Sequence, residues 1–244
     1  MQLTVITVCF NAEKTIERTF KSVILQNDKD FEYLVIDGDS QDSTIEIIKK
    51  WERNFIDSGI RFNWISEEDK GLCDAMNKAA QIAQGEWLVY LNADDEFISE
   101  DAVIVAKNNL GSDIDILYGD SIFVDKNGIE NKRKALSIDT IYRHLPFIPQ
   151  SAFIKKDVQK EFSFNLQYQI AADYDSFLRM YLSNKTFKKV NYYFSRFYEG
   201  GISNENEWKT YKEDINIKYS NGILNKKSLM QRLKYLRRWI KCKV

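Results

Sequence analysis

The chain alternates short apolar, β-branched segments with segments whose apolar residues recur at helical spacing. Residues 3–10 form the first apolar run, and Ile16, Phe20 and Ile24 follow it on one face of a predicted helix. The same alternation predicts further strands at residues 33–36, 60–65, 87–91 and 114–118. Repeated strand–helix units form parallel sheets, because a helical crossover is the usual connection between neighbouring parallel strands. The sequence therefore predicts an α/β fold with a mostly parallel central sheet flanked by helices.

The second half of the chain is less regular and ends in a predicted helical region. Its predicted elements are short strands at residues 121–124, 151–154 and 190–198 and a helix at residues 174–182. From about residue 206 onward the pattern is helical, with Gly222 as a break. Because 44% of the residues are hydrophobic, the chain has enough apolar surface to build a core. We expect one domain at residues 1–204, followed by a helical C-terminal extension at residues 205–244.

Charge and cysteine content exclude several classes of protein. A net charge of −1 argues against a basic nucleic-acid-binding protein, so we expect no nucleic-acid partner. The three cysteines are odd in number and far apart, and His144 is the only histidine, which argues against disulfides and zinc. The first apolar run lacks the basic flank of a signal peptide, and no segment has the roughly 18 apolar residues of a membrane span. We therefore expect a cytoplasmic protein.

Acidic and amide side chains follow each predicted strand of the first half. They are Asn11, Asp37, Asp39, Glu67, Glu68, Asp69, Asn92, Asp94, Asp95 and Asp120. Ligands of open α/β sheets bind at the carboxyl ends of the strands, so these side chains are expected around one site. Asp and Asn also favour turns and helix N-caps, which remains an alternative explanation for each single position.

The segment Asn92-Ala93-Asp94-Asp95 is the sharpest of these candidates. It follows a buried strand directly and supplies the hard oxygen ligands that Mg²⁺ and Mn²⁺ prefer. No P-loop and no Gly-x-Gly-x-x-Gly motif accompanies it, so the sequence contains neither common loop for holding phosphates. We therefore expect a divalent cation to bind the phosphates of a ligand here.

The chain resembles the family 2 glycosyltransferases of the GT-A fold, particularly the bacterial enzymes of surface-polysaccharide biosynthesis. The resemblance covers about residues 3–203 and depends on the order and spacing of several short motifs. These motifs are VITVCFN (5–11), VIDGDS (35–40), SEEDKG (66–71), DAMNK (74–78), GEWLVYLNADD (85–95), PQS (149–151), ADYD (172–175) and GGIS (200–203).

The resemblance implies a role for each matching residue around a nucleotide-sugar donor. It assigns Val8, Phe10, Asn11 and Asp37 to the nucleoside, with Asp37 accepting from the base. It assigns Lys70, Asp74 and Asn77 to the ribose and phosphates, although Lys70 also fits an ordinary solvated loop lysine. The family's Asp-x-Asp element is Asn92-Ala93-Asp94 here, so that Asp94 becomes the metal ligand. Asp95 is then a second ligand or a contact of the donor sugar.

Two later motifs carry the remaining implied roles. Asp173 stands at the position of the family's catalytic base, with Asp175 as the competing candidate and N-capping as the structural alternative for both. Gly201 and Ser203 belong to a loop that the resemblance expects to close over the donor diphosphate.

The resemblance implies an inverting, metal-dependent glycosyltransferase. The expected donor is a UDP-linked hexose or N-acetylhexosamine, and the expected acceptor is a saccharide or a lipid-linked saccharide. A non-catalytic nucleotide- or glycan-binding module on the same fold is the alternative, because Asn92 and Ala172 replace acids that many relatives carry. A nucleotidyltransferase is disfavoured, since no triphosphate-binding loop rich in Gly, Arg and Lys follows the first strand.

Residues 226–244 contain eight Lys or Arg and no Asp or Glu, which leaves a charge of −9 on the rest of the chain. Apolar residues recur there at helical spacing: Leu229, Leu233, Leu236, Trp239 and Ile240. A basic amphipathic helix suits an anionic membrane surface. Packing of the apolar stripe on the catalytic domain is the alternative. The first interpretation predicts peripheral binding to the inner face of the membrane.

Overall fold

The structure is a computed structural model that describes residues 2–200 and 207–224. The strands are β1 (Leu3–Cys9), β2 (Glu32–Asp37), β3 (Arg61–Ser66), β4 (Trp87–Tyr90), β5 (Glu96–Phe97), β6 (Ile116–Val124), β7 (Glu130–Arg133), β8 (Ala152–Lys155) and β9 (Phe187–Tyr198). The helices are α1 (Ile16–Ile24), α2 (Thr44–Asp57), α3 (Leu72–Ile82), α4 (Ala102–Lys107), α5 (Lys156–Glu161), α6 (Ala172–Leu182) and α7 (Glu207–Ser220).

All nine strands belong to one mixed sheet with the order β3-β2-β1-β4-β8-β6-β9-β5, and β7 pairs with β6. Parallel pairing joins β1 to β2 and β4, β2 to β3, and β6 to β9, and it contains most of the paired residues. Antiparallel pairing joins β8 to β4 and β6, β5 to β9, and β7 to β6. The predicted α/β fold with a mostly parallel sheet is therefore confirmed.

The side chains of the sheet alternate between two apolar cores, so helices cover both faces. On one face, Phe20 of α1 and Phe55 of α2 pack with the aromatic side chain of Tyr33. On the other face, Ala79 of α3 and Leu178 of α6 are fully buried against the sheet. This arrangement places the start of α6 beside α3 and the carboxyl ends of the first strands.

The second half differs from the sequence prediction at β6. Two strands were expected at residues 114–118 and 121–124, but β6 runs through both as one strand with a register irregularity near Asp120. Asp120 therefore lies within a strand rather than after one, and its Oδ1 accepts a hydrogen bond of 2.8 Å from the Ala135 N–H. The apolar pattern could not distinguish a bulged strand from two strands, because a bulge also interrupts the alternation.

Helix α7 confirms the helical pattern that was predicted beyond residue 206. It ends at Ser220, and Gly222 follows with φ of 73°, a left-handed conformation that glycine adopts readily. Ile217 of α7 is fully buried in the same core as α6. In the described part of the chain, no helix combines the length and the apolar character needed to cross a membrane. Residues 225–244, which include the basic segment, lie outside the described residues.

Candidate active site

A cleft of about 1090 Å³ opens at the carboxyl ends of β1, β2 and β4. The predicted site residues that line it are Val8, Phe10, Asn11, Asn92, Ala93, Asp94, Asp95 and Asp173. They come from three distant segments of the chain, which the parallel strand order brings to one edge of the sheet. The wall around Asp173 also includes Gln169 and Ile170.

The end of β1 gives the cleft an apolar platform. The Phe10 side chain is 62% exposed, an unusual degree for a large aromatic group that lies in a concave site. A Cβ atom at Gly38 would lie 2.5 Å from Asp69 Oδ2 and 3.5 Å from the Phe10 ring, so glycine keeps this corner open. The flat ring beside carboxylate acceptors is suited to stacking and hydrogen bonding with a planar, polar group.

Asp37 lies below the cleft and does not line it. The residue is fully buried, and its carboxylate accepts hydrogen bonds from the N–H and hydroxyl of Ser40 at 2.9 and 2.5 Å. The Ser66 hydroxyl donates a further hydrogen bond of 2.8 Å. Asp37 therefore links the segment that follows β2 to the end of β3, and its direct contact with a nucleobase stays a prediction.

The three residues expected near the ribose and phosphates are also absent from the cleft lining. Lys70 is exposed, and its backbone N–H donates to Asp74 Oδ2 at 3.1 Å. The Asn77 side chain forms two hydrogen bonds of 2.9 Å with the backbone of Phe164. These contacts give Asp74 and Asn77 structural roles at α3, and the donor contacts of all three residues stay predictions.

The acidic turn (residues 92–95) is held from below by α1. The Thr19 hydroxyl donates to the Asp95 carbonyl at 2.6 Å and to the Asn92 carbonyl at 3.2 Å. The Arg18 guanidinium donates to the Asp94 carbonyl. These contacts fix the backbone of the turn, and Asp94 lines the cleft.

The two carboxylates of this turn resist ionisation in the absence of a cation. Burial raises the pKa of Asp94. Burial raises the pKa of Asp95 further above its usual range, and the neighbouring charge of Asp94 adds to the effect. Asp95 Oδ2 accepts a hydrogen bond of 2.8 Å from the Gln150 amide, and the Tyr198 backbone also donates to this carboxylate. A positive charge at the turn would favour the ionised form of both groups.

The donor atoms of the acidic turn fit a divalent cation. Asn92 Oδ1 is buried and accepts no hydrogen bond within the described residues, so it is available beside the two carboxylates. No group of three or more His, Cys, Asp or Glu in the described segments forms a complete metal site. Mg²⁺ and Mn²⁺ commonly use one or two carboxylates and take their remaining ligands from water and phosphates, which matches this set.

The carboxyl groups of Asp173 and Asp175 have different environments. Asp173 lines the cleft at the start of α6, and burial raises the pKa of its carboxyl to about 6, with a further contribution from the charge of Glu213. Asp175 is buried away from the cleft and forms an ion pair of 2.8 Å with Arg179. Of these two acids, only Asp173 lines the cleft, so only its carboxyl could exchange a proton with a molecule bound there.

The far wall of the cleft contains residues that sequence reasoning missed. The Arg18 guanidinium lies 3.5 Å from the centroid of the Tyr198 ring, and the Tyr198 hydroxyl donates to Glu96 at 2.8 Å. Arg18 occupies an ordinary position of α1, so no local sequence pattern indicates its role. Gln150, which donates to Asp95, belongs to the PQS motif. Gly200 lines the cleft, but the predicted residues Gly201 and Ser203 lie outside the described residues.

Two named glycosyltransferases are similar to this chain in sequence. A PGL/p-HBAD biosynthesis glycosyltransferase of Mycobacterium bovis (strain BCG / Pasteur 1173P2) is 28% identical over 174 residues, which cover 70% of this chain and 66% of the relative. The UDP-Glc:alpha-D-GlcNAc-diphosphoundecaprenol beta-1,3-glucosyltransferase WfgD of Escherichia coli is 30% identical over 131 residues. That match covers 53% of this chain and 49% of WfgD. The chain thus spans about half to two thirds of the length of these relatives.

Solved structures share the fold at lower identity. TarS 1-349 of S. aureus in complex with UDP-GlcNAc superposes with a TM-score of 0.70 at 19% identity, over 97% of this chain and 79% of TarS. The mannosyltransferase PcManGT of Pyrobaculum calidifontis, in complex with GDP-Man and Mn²⁺, gives a TM-score of 0.67 at 17% identity, over 97% and 68% of the two chains. These similarities establish a GT-A-like fold.

The model of the family "Glycosyl transferase family 2" matches residues 4–180, which include the first strands, the acidic turn and Asp173. This segment is well over half of the chain and carries the described lining of the cleft, apart from the end of β9 and Gly200. The chain therefore belongs to glycosyl transferase family 2.

Proposed function

We propose that this chain is an inverting glycosyltransferase of surface-polysaccharide biosynthesis. It moves a hexosyl or N-acetylhexosaminyl group from a UDP-sugar to a saccharide or lipid-linked saccharide. The observation that carries the proposal is a single cleft lined by two different kinds of acidic site. One is the acidic turn, suited to a cation and a diphosphate, and the other is Asp173, a lone carboxyl with a raised pKa.

The donor's nucleotide fits the part of the cleft near β1. The exposed Phe10 ring offers a surface on which a base stacks, and Asp39 and Asp69 supply acceptors nearby. WfgD is named as a glucosyltransferase that uses UDP-Glc, and TarS was solved in complex with UDP-GlcNAc, which supports uridine as the base and a hexose or N-acetylhexosamine as the sugar.

Asp94 and Asp95, together with Asn92 Oδ1, would hold a divalent cation. When bound, such a cation neutralises the negative charge that develops on a departing diphosphate. The Mn²⁺ in the complex of PcManGT supports this assignment. Arg18 and Thr19 keep the turn in place through its backbone carbonyls, and Gln150 orients the Asp95 carboxylate.

Asp173 acts as the general base. The acceptor hydroxyl loses its proton to the Asp173 carboxylate while its oxygen bonds to the anomeric carbon, and the bond from that carbon to the diphosphate oxygen breaks. The electron pair of the broken bond leaves with the nucleoside diphosphate. Attack from the face opposite the leaving group inverts the anomeric centre. A positioned base contributes about 10²–10⁴-fold to such a reaction.

A thermal-unfolding panel with nucleoside diphosphates and nucleotide sugars, with and without Mn²⁺, tests the proposal. Binding to the folded state raises the midpoint, so we expect a rise with UDP and UDP-sugars that requires Mn²⁺. Release of UDP from the stabilising sugar nucleotides is then measured to detect turnover. Metal-dependent binding without any turnover would favour the alternative, a non-catalytic binding module. No shift with any nucleotide would contradict both.

A further inference from the structure

Helix α7 contributes a buried carboxylate to the segment that leads into α6. Glu213 Oε2 accepts hydrogen bonds from the backbone N–H groups of Ile170 and Ala171 at 2.8 and 2.9 Å. Glu213 Oε1 accepts a third from the N–H of Gln169 at 3.1 Å. One side chain therefore binds three consecutive amides, although it lies more than 40 residues away in sequence.

The chain itself supplies no local substitute for these contacts. Ala171 and Ala172 stand at the start of α6 and have no polar side chains, and Asp173 Oδ1 accepts at 2.7 Å from the N–H of Tyr174, which lies beyond the three amides that Glu213 binds. Backbone N–H groups near a helix start need acceptors, because the helix cannot provide them. Glu213 meets that need from another helix, and its negative charge also interacts favourably with the positive end of the α6 dipole.

The bound segment is a wall of the active-site cleft. Gln169, Ile170 and Asp173 all line it, and Asp173 is only two residues beyond the last amide that Glu213 holds. A shift of this backbone would carry the Asp173 carboxylate with it. Small displacements of a base relative to its substrate cost rate, since proton transfer requires hydrogen-bond distance.

Glu213 is in turn fixed by the packing of α7. Ile217 is fully buried one turn later, and the Lys218 ammonium donates to the Arg143 carbonyl at 2.6 Å and to Asp214 at 2.8 Å. Asn221 donates to Asp175 of α6 at 3.4 Å. These contacts anchor α7 and the residue after its end to the segment at Arg143 and to α6.

We infer that Glu213 is the positioning residue for Asp173, holding residues 169–171 so that the Asp173 carboxylate meets the acceptor hydroxyl. The inference rests on the proposed function. It places an essential part of the site beyond residue 180, where the family match ends.

The Glu213→Gln variant tests this inference, with UDP release from UDP-Glc or UDP-GlcNAc as the assay, whichever the binding panel selects. The amide keeps the size of the side chain but replaces one acceptor oxygen with a donor. We expect the turnover number to fall at least tenfold while the affinity for UDP with Mn²⁺ stays within twofold. Unchanged turnover, or an equal loss of UDP affinity, would overturn the inference.

The pH profile separates positioning from a purely structural role. The titratable groups that face Asp173 are Glu213 from α7 and the Cys73 thiol from α3, with Asp94 and Asp95 lining the same cleft. Removing the negative charge of Glu213 lowers the pKa of Asp173, so the acidic limb of the profile should move to lower pH in Glu213→Gln. A limb that stays in place while turnover falls would assign Glu213 a structural role only.

Controls keep the outcomes distinct. Lys212→Gln removes a charge from the preceding, exposed position of α7, whose ammonium lies over the Trp208 ring, and we expect its turnover to stay within threefold of the unmodified chain. If Glu213→Gln does not fold, Glu213→Asp decides: it keeps the charge but shortens the reach, so turnover should fall and the acidic limb should stay. Normal turnover in Glu213→Asp would overturn the inference.

The proposed function and this inference fail in different ways. Full activity of Asp173→Asn, or no turnover of any donor by the unmodified chain, would remove the proposed base and the positioning role together. Loss of activity in Asp173→Asn with normal behaviour of Glu213→Gln would remove the positioning role alone.

Discussion

Asp173 combines a position in the cleft with a carboxyl that titrates near neutrality. Since burial raises its pKa to about 6, the proton-accepting form dominates above that pH and disappears below it. We expect kcat/KM for transfer to fall about tenfold per pH unit below pH 6. A rate that is constant down to pH 5 would contradict a role for Asp173 as the base.

The Asp173→Asn variant should lose about 10²–10⁴-fold in turnover and keep its affinity for UDP, because an amide cannot accept the proton. Asp175→Asn is the matched control on the same helix. It breaks the ion pair with Arg179, so we expect lower stability with a much smaller loss of turnover. Steady-state kinetics and UDP binding by calorimetry measure both effects, and equal losses of turnover in the two variants would contradict this assignment.

Asp94 and Asp95 disfavour the metal-free fold at neutral pH. The pKa values of both carboxyls are raised in the folded protein. Their negative charges therefore destabilise the fold at pH values above these raised pKa values. This destabilisation is absent at pH values below the pKa of the unfolded chain, which is about 3.9. In EDTA at pH 7.5, Asp94→Asn should raise the unfolding midpoint by about 2–4 °C. The same variant should lose the rise in midpoint that Mn²⁺ and UDP give the unmodified chain. A lower midpoint in EDTA, or a full response to Mn²⁺ and UDP, would contradict the metal role.

The individual residues that could be predicted are those that directly follow a strand. The acidic turn was predictable because a buried strand ends just before it, and strand ends of a parallel sheet share one edge. Asp37 and Asn77 also belong to recognisable motifs, but their hydrogen bonds with Ser66 and Phe164 depend on tertiary contacts that no pattern reveals. No local sequence pattern indicates the role of Glu213, because the backbone amides that it binds lie 42 to 44 residues before it.

At the scale of elements, the packing of α1 and α2 on the sheet depends on a cluster of aromatic rings. Phe55 is fully buried, with its ring centroid 4.8 Å from that of Phe62 and 4.9 Å from that of Tyr33. We expect Phe55→Ala to reduce the free energy of unfolding by about 3–5 kcal/mol, because it removes a large side chain from a closed core. Urea denaturation followed by tryptophan fluorescence measures this change.

The neighbouring residue of α2 provides the control for that prediction. Ile56 is 57% exposed, so Ile56→Ala should change the free energy of unfolding by no more than about 0.5 kcal/mol. A loss below about 1 kcal/mol in Phe55→Ala would mean that α2 is not packed on the sheet as described.

The elements of the first half were predicted well because each obeys a single periodicity. Strand β1 was expected at residues 3–10 and runs from Leu3 to Cys9, and α1 runs from Ile16 to Ile24, the first and last residues of its predicted apolar face. The second half mixes directions: β8 lies antiparallel between β4 and β6, and β7 is a fully exposed strand of charged and amide residues. Neither the order of the strands nor a polar edge strand produces a hydrophobic periodicity in the sequence. Both could therefore be found only from the structure.

At the scale of the whole molecule, the proposed active site is assembled from both ends of the chain. The parallel strands of the first half supply the platform at Phe10 and the acidic turn, while α6 supplies the opposite wall with Asp173. Helix α7 then fixes that wall through Glu213. The site therefore depends on the C-terminal region, although the motifs of the family lie before it.

The distribution of charge leads to the last prediction, for residues 225–244. Their eight Lys and Arg carry no compensating acid, whereas the rest of the chain has a net charge of −9. Basic residues near an anionic bilayer contribute about 1 kcal/mol each to binding, and salt screens this attraction. We expect the full chain to sediment with vesicles containing 30% phosphatidylserine, to remain free with phosphatidylcholine vesicles, and to dissociate at about 0.5 M NaCl.

A chain that ends at Leu224 keeps every described contact of α7 and should keep its unfolding midpoint, yet it should no longer bind the anionic vesicles. Binding that survives this deletion would show that another surface of the protein meets the membrane. No binding by the full chain would favour packing of the apolar stripe on the catalytic domain, and the deletion should then lower the midpoint instead.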